Sequence, residues 1–191
     1  MPDHFSPQQS LQLIQSMIAK TKSHMGENRF YFLLWGWVVL LAILVQFVLK
    51  VVLHYRHHYL VWLVTIVAVF ATIWHNRRQS SKSKVRTYVG ESMNSLWMGI
   101  GISFFVMSFI ISAGIGWLHA WPFMILMYGL GTFISGKILQ FKPLVVGGIA
   151  NWLIATVTVF LPYDYQLLAA AAAVAISYLI PAYLIKPEKQ Q

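Results

Sequence analysis

The 191-residue chain contains no cysteine and only five acidic residues. The first absence excludes disulfides, thiol nucleophiles and thiolate metal sites. The second leaves few groups for acid–base chemistry, and Asp3, Glu27, Glu91, Asp164 and Glu188 all lie outside the centres of the long apolar runs. No GxxxxGK[ST] phosphate loop, HExxH zinc helix or GxSxG nucleophile turn occurs. Charged residues make up 10% of the chain, against about 25% in an ordinary soluble domain. What remains is 58% hydrophobic, more than a water-soluble fold of this size can bury.

The apolar residues come in runs. Between Arg29 and Lys50 stand twenty uncharged residues, with Gln46 the one strongly polar member. Twenty helical residues rise about 30 Å, the thickness of a bilayer's hydrocarbon core. Six such spans are expected, at about 30–50, 58–75, 92–117, 120–139, 143–161 and 165–185. The expected fold is an all-α integral membrane protein. Residues 1–29 form a cytosolic segment, 30–185 the six-helix domain and 186–191 a short tail. Pro181 is expected to kink the last span. Residues 76–90, with five basic residues and several serines, are expected to form a solvated loop.

Charge sets the orientation. Six spans put twelve of the fourteen Lys and Arg residues on the side of the N-terminus and leave only Lys50 and Arg56 opposite. The positive-inside rule makes the richer side cytoplasmic, with both termini inside. The formal charge of +9 would suggest nucleic acid in a soluble protein. Here the cations flank apolar spans, so the expected partners are membrane lipids with anionic headgroups and not nucleic acid. Arg77, Arg78, Lys82, Lys84 and Arg86 are the expected lipid or partner contacts.

Before the first span, residues 6–22 read as an amphipathic helix. Ser6, Pro7 and Gln9 make an N-terminal capping signature, and Leu11, Ile14, Met17 and Ile18 recur at helical spacing. The helix either covers the cytoplasmic end of the bundle, lies in the membrane interface or docks a cytosolic protein. The odd spans open alike, with GEN…LLWGWV, GES…SLWMGI and GGIANWLI, which suggests three tandem hairpins. Three hairpins resemble mitochondrial carriers in plan, but that family's P-x-[DE]-x-x-[KR] signature is missing from each. The ENRFYFLLWGW stretch, with the polar-amphipathic helix from Ser10 before it, is similar to a group of small integral membrane proteins of bacteria. That resemblance covers roughly the first 50 residues and implies a bacterial cytoplasmic membrane, with no activity attached.

Few residues offer chemistry. His54, His57 and His58 form an H-x-x-H-H cluster that, on a helix, would fall on adjacent turns and hold a metal, with His119 joining from the next outer turn. The alternative is a neutral polar cap. Glu27, Glu91 and Asp164 precede spans 1, 3 and 6, where negative charge suits a helix N-terminus. Gln46, Asn94 and Asn151 are the strongly polar residues at depth or near it. They either bond helix to helix or line a solute path. Gly99 and Gly101, and Gly129, Gly131 and Gly136 with Ser135, allow close helix approach within the chain or between copies. No catalytic constellation and no cofactor are expected. The expected function is that of a membrane-anchored binding or regulatory protein, with a small permease or channel subunit as the alternative.

Because the chain lacks cysteine, single-cysteine labelling needs no background removal. In intact bacterial cells, Tyr55→Cys should react with an impermeant maleimide and Ser83→Cys should react only after the cells are opened. The reverse pattern would invert the orientation.

Overall fold

A computed structural model describes residues 29–82 and 88–185. The expected helix 6–22, Glu27, Lys84, Arg86 and residues 186–191 lie outside the described residues, as does the side chain of Lys82.

The described residues are helical apart from short connections, with no strand among them. Six helices follow in order. Helix α1 covers Arg29–Val52 and ends in a π-turn, Val48–Val52. Helix α2 opens as a 3₁₀ turn, His58–Leu63, and continues over Val64–Lys82. Helix α3 runs Tyr88–Ile110 and ends in a second π-turn, Ile111–Ile115. Helix α4 begins with the turn Trp117–His119 and covers Ala120–Ile138. Helix α5 is Lys142–Thr158. Helix α6 is Tyr163–Leu184, interrupted by a third π-turn, Ala175–Leu179.

Five of these, all but α5, contain an apolar stretch long enough to cross a hydrocarbon core. Their bounds lie within a few residues of the expected spans. Helix α5 is shorter, at 17 residues. One expectation needs correction. The segment 76–90 is not all loop, because α2 continues through Arg77 and Arg78 to Lys82. Polar composition reports solvation, and Arg, Gln and Lys are good helix formers. Pro181 lies just after the π-turn Ala175–Leu179, in the short helical segment Ile180–Leu184 that ends α6.

Helix α4 packs closely on α5, which joins the second and third expected hairpins. Their turn is a Schellman arrangement. Phe141 N–H donates to Gly136 O at 2.9 Å and Gln140 N–H to Lys137 O at 3.3 Å, with Gln140 at φ 53° in the place glycine usually takes. Pro143 then opens α5. Backbones touch along the pair. A Cβ on Gly136 would stand 2.6 Å from Val145 N, and one on Gly148 would stand 2.7 Å from Phe133 N. On the far side, a Cβ on Gly147 would meet Ser177 Cα of α6 at 2.8 Å. Helices α4, α5 and α6 thus share the best-buried core, including Leu139, Leu144 and Leu167.

Helices α2 and α3 stand at the periphery. Val67, Phe70 and Trp74 on α2, and Phe105 and Phe109 on α3, are largely exposed. The first two hairpins share one device. Trp35 Nε1–H donates to Thr72 Oγ1 at 3.1 Å, and Trp97 Nε1–H donates to Ser135 Oγ at 3.1 Å. In each case an indole of the odd helix grips a hydroxyl of the even one, 37 and 38 residues further on. Trp152, their counterpart in the third hairpin, instead stacks on Phe133 of α4 at 5.1 Å.

The glycines separate cleanly by environment. Gly148→Ala should lower stability by about 1–3 kcal/mol, since the added methyl must push α4 away. Gly99→Ala and Gly101→Ala meet nothing within 4 Å and should be near neutral. Thermal unfolding in micelles, followed by circular dichroism, checks both.

Candidate functional site

Polar groups gather in two places. The first joins α1, α2 and α6 near the end where α1 stops. Gln46 is 3% exposed. Its Oε1 accepts from Trp62 Nε1–H at 2.7 Å and its Nε2 lies 3.2 Å from His58 Nδ1. An indole N–H can only donate, so the amide oxygen must face Trp62 and the amide nitrogen must face His58. Nδ1 therefore accepts, and a neutral His58 carries its proton on Nε2. Trp62 also packs on Trp121 of α4, with ring centres 5.9 Å apart. One turn beyond Gln46, Lys50 forms an ion pair with Asp164 in the first turn of α6. Its ammonium also lies 4.3 Å from the centre of the Tyr163 ring.

The second place is the centre of the α4–α5–α6 core. Asn151 is fully buried. Its Nδ2 donates to Ser177 Oγ at 3.0 Å, and Ser177 Oγ donates to Ala173 O at 2.7 Å. Asn151 Oδ1 is enclosed with no hydrogen-bond partner among the described residues. The π-turn in α6 presents Ser177 to α5 and turns Tyr178 into a cluster of rings. Tyr178 lies 4.6 Å from Tyr128, 5.6 Å from Trp97 and 5.0 Å from Phe32, centre to centre.

The sequence-derived candidates divide. Gln46 and Asn151 are buried and bonded across helices, in two separate places. Asn94 is not at depth in the bundle, because its side chain is exposed on the outer face of α3. The histidines do not come together as the metal site that their spacing would allow on a helix. Residues 53–57 connect two antiparallel helices and are not helical, and His54 has φ 50°. His57 pairs with Tyr59 Oη at 3.0 Å, His58 with Gln46, and His119 is exposed on the α3–α4 connection. Among the described residues no three His, Asp or Glu side chains come together as a metal site. Arg77 and Arg78 are exposed near the end of α2, with Arg78 5.0 Å from the centre of the Trp74 ring.

The glycines of α4 serve packing within the chain. Besides Gly136, a Cβ on Gly129 would meet Asn151 Cβ at 2.9 Å, and one on Gly131 would run into Ile100 Cδ1. Only Gly99 and Gly101 of the expected set face open space. Sequence reasoning also missed several partners. Ser177 and Tyr178 sit in an apolar run with nothing to mark them, and Lys50 and Asp164 are 114 residues apart. The indole N–H groups of Trp35 and Trp37 bond to Thr72 and to Tyr183 Oη.

Two grooves open on the surface. One, of about 450 Å³, runs along α1 beside the start of α2. The other, of about 290 Å³, lies between α4 and α5 near Pro122 and Phe160. Both are apolar, and neither is lined by Gln46 or Asn151. Set against known proteins, the chain matches no family profile, no curated protein sequence and no solved structure.

The two polar contacts should respond differently to mutation. Gln46→Leu strands a half-buried indole N–H and should destabilise by about 1–2 kcal/mol. Lys50 and Asp164 are about one-third and one-half exposed, so a double-mutant cycle with Lys50→Gln and Asp164→Asn should give a coupling of only about 0.5 kcal/mol.

Proposed function

We propose that this chain is a six-crossing protein of a bacterial cytoplasmic membrane that acts by binding, not by catalysis or conduction. Both termini lie on the cytoplasmic side. The six-crossing reading requires α5 to cross as well. Its 17 residues rise about 25 Å, near the lower limit for a span. Val146, Leu153 and Val157 leave it an exposed apolar face suited to lipid.

One observation carries the preference for binding. The polar groups that a solute path would need are paired with one another across helices: Gln46 with Trp62 and His58, and Asn151 with Ser177. The grooves along α1 and between α4 and α5 are lined by hydrocarbon. The bundle then serves as an anchor. It holds the segment 1–29 and the basic connector of Arg77, Arg78, Lys82, Lys84 and Arg86 at the inner surface, where anionic headgroups and a cytosolic partner can be met. The permease alternative keeps one point in its favour, the buried and unpartnered Asn151 Oδ1.

Flux and capture separate the two readings. Liposomes holding the purified protein should pass none of a panel of monovalent ions and small neutral solutes above the rate of empty vesicles. Saturable flux that is lost in Asn151→Leu would overturn the binding reading in favour of the permease. Affinity capture from membranes should recover a protein that is lost when residues 1–29 are deleted, and unchanged recovery would remove that segment's role.

A further inference from the structure

We propose that the groove along α1 holds an acyl chain of an anionic phospholipid whose phosphate rests against Arg77 and Arg78. The inference rests on the membrane reading above and adds a defined site and ligand to it.

The groove has a length, a lining and a polarity that fit such a lipid. Its wall on α1 runs from Phe30 to Val45, with Val61 and Val64 of α2 opposite. Fifteen helical steps rise about 22 Å, more than the roughly 15 Å depth of one leaflet's hydrocarbon. The lining is bulky. Leu33, Trp37 and Leu41 project into it, and Ala42 is its one small residue. A second transmembrane helix docks best where small residues let backbones approach, so this wall suits a flexible chain better than another helix.

Charge gives the groove a direction. At the Phe30 end, the Phe30 ring stacks on His75 of α2 with centres 4.1 Å apart. Arg78 follows one turn later on α2, with Arg77 beside it. Both are exposed, and neither has an acidic partner among the described residues. At the Val45 end, the nearest cation of α1 is Lys50, which Asp164 already neutralises. The Val45 end also has the exposed Arg56 of the α1–α2 connection, so it is the adjacent pair of guanidinium groups that favours the Phe30 end for a phosphate, an anion such groups suit well.

Native mass spectrometry of the delipidated full chain tests this, with dioleoylphosphatidylglycerol and dioleoylphosphatidylcholine as probes. The wild type should retain the anionic lipid about thirtyfold better, as expected for two arginines at a membrane surface. Arg77→Gln with Arg78→Gln should bring the two lipids to parity. Leu41→Trp, at a half-exposed groove position, should weaken retention of both, with Val45→Trp as a second filling variant if the first does not fold. Glycerol 3-phosphate, which has the anion without the chain, should not compete. Parity in the wild type would overturn the proposal. So would a preference that survives loss of both arginines, or retention that survives both filling variants. A dimer blocked by Leu41→Trp would assign the groove to a second copy instead. Failure of the protein to insert into liposomes would sink the membrane reading itself, whereas parity in inserted protein would sink only this site.

Discussion

The contact of α4 on α5 is the constraint on which the rest of the structure depends. In lipid, apolar surface gains nothing by leaving one hydrocarbon for another, so helices associate through close fit and a few hydrogen bonds. Gly136 and Gly148 supply the fit by letting one backbone lie against the other. The same pair of helices then sets the position of Asn151 opposite Ser177, and Gly147 lets α6 come near enough for that bond to form. Removing the close approach would leave a buried amide with neither partner nor water, which is costly in a bilayer.

Around that core the bundle is lopsided. Helix α1 is tied to α6 by Trp37 with Tyr183, by Arg29 with the Ala182 carbonyl and by Lys50 with Asp164. Helix α2 is tied to α1 by Trp35 with Thr72, by Trp62 with Gln46 and by His75 with Tyr31. These are polar pins on otherwise apolar rods. The outer helices thus keep broad hydrocarbon faces, which is the arrangement expected where lipid or another membrane protein is the neighbour.

Much of the architecture was legible in the sequence because a hydrocarbon core imposes its thickness on every crossing segment. The run from Phe30 to Leu49 announced α1 by length and polarity alone, and the other long spans likewise. The site was less legible. A helix apolar on all sides carries no periodic signal, so nothing local tells that Asn94 faces outward while Asn151 faces inward. The H-x-x-H-H spacing suggested a metal only on the premise of a helix, and the chain must turn back at those very residues to begin α2. Lys50 and Asp164 meet through topology across 114 positions, beyond the reach of any spacing rule. The matching Trp35 and Trp97 motifs did carry structural meaning, as paired indole–hydroxyl clasps.

The π-turn at Ala175–Leu179 has a consequence for how α6 tolerates change in length. One surplus residue there sets the phase of everything after it. A regular helix turns about 100° per residue, so dropping a single residue from that turn would swing Pro181, Ala182 and Tyr183 about a quarter of the way round the axis. Arg29 would lose its carbonyl and Trp37 its hydroxyl, while the first half of α6 stayed in place against α5. The far end of the helix is therefore indexed to α1 by a count of residues, and lineages that shorten or lengthen this turn must refit both contacts together.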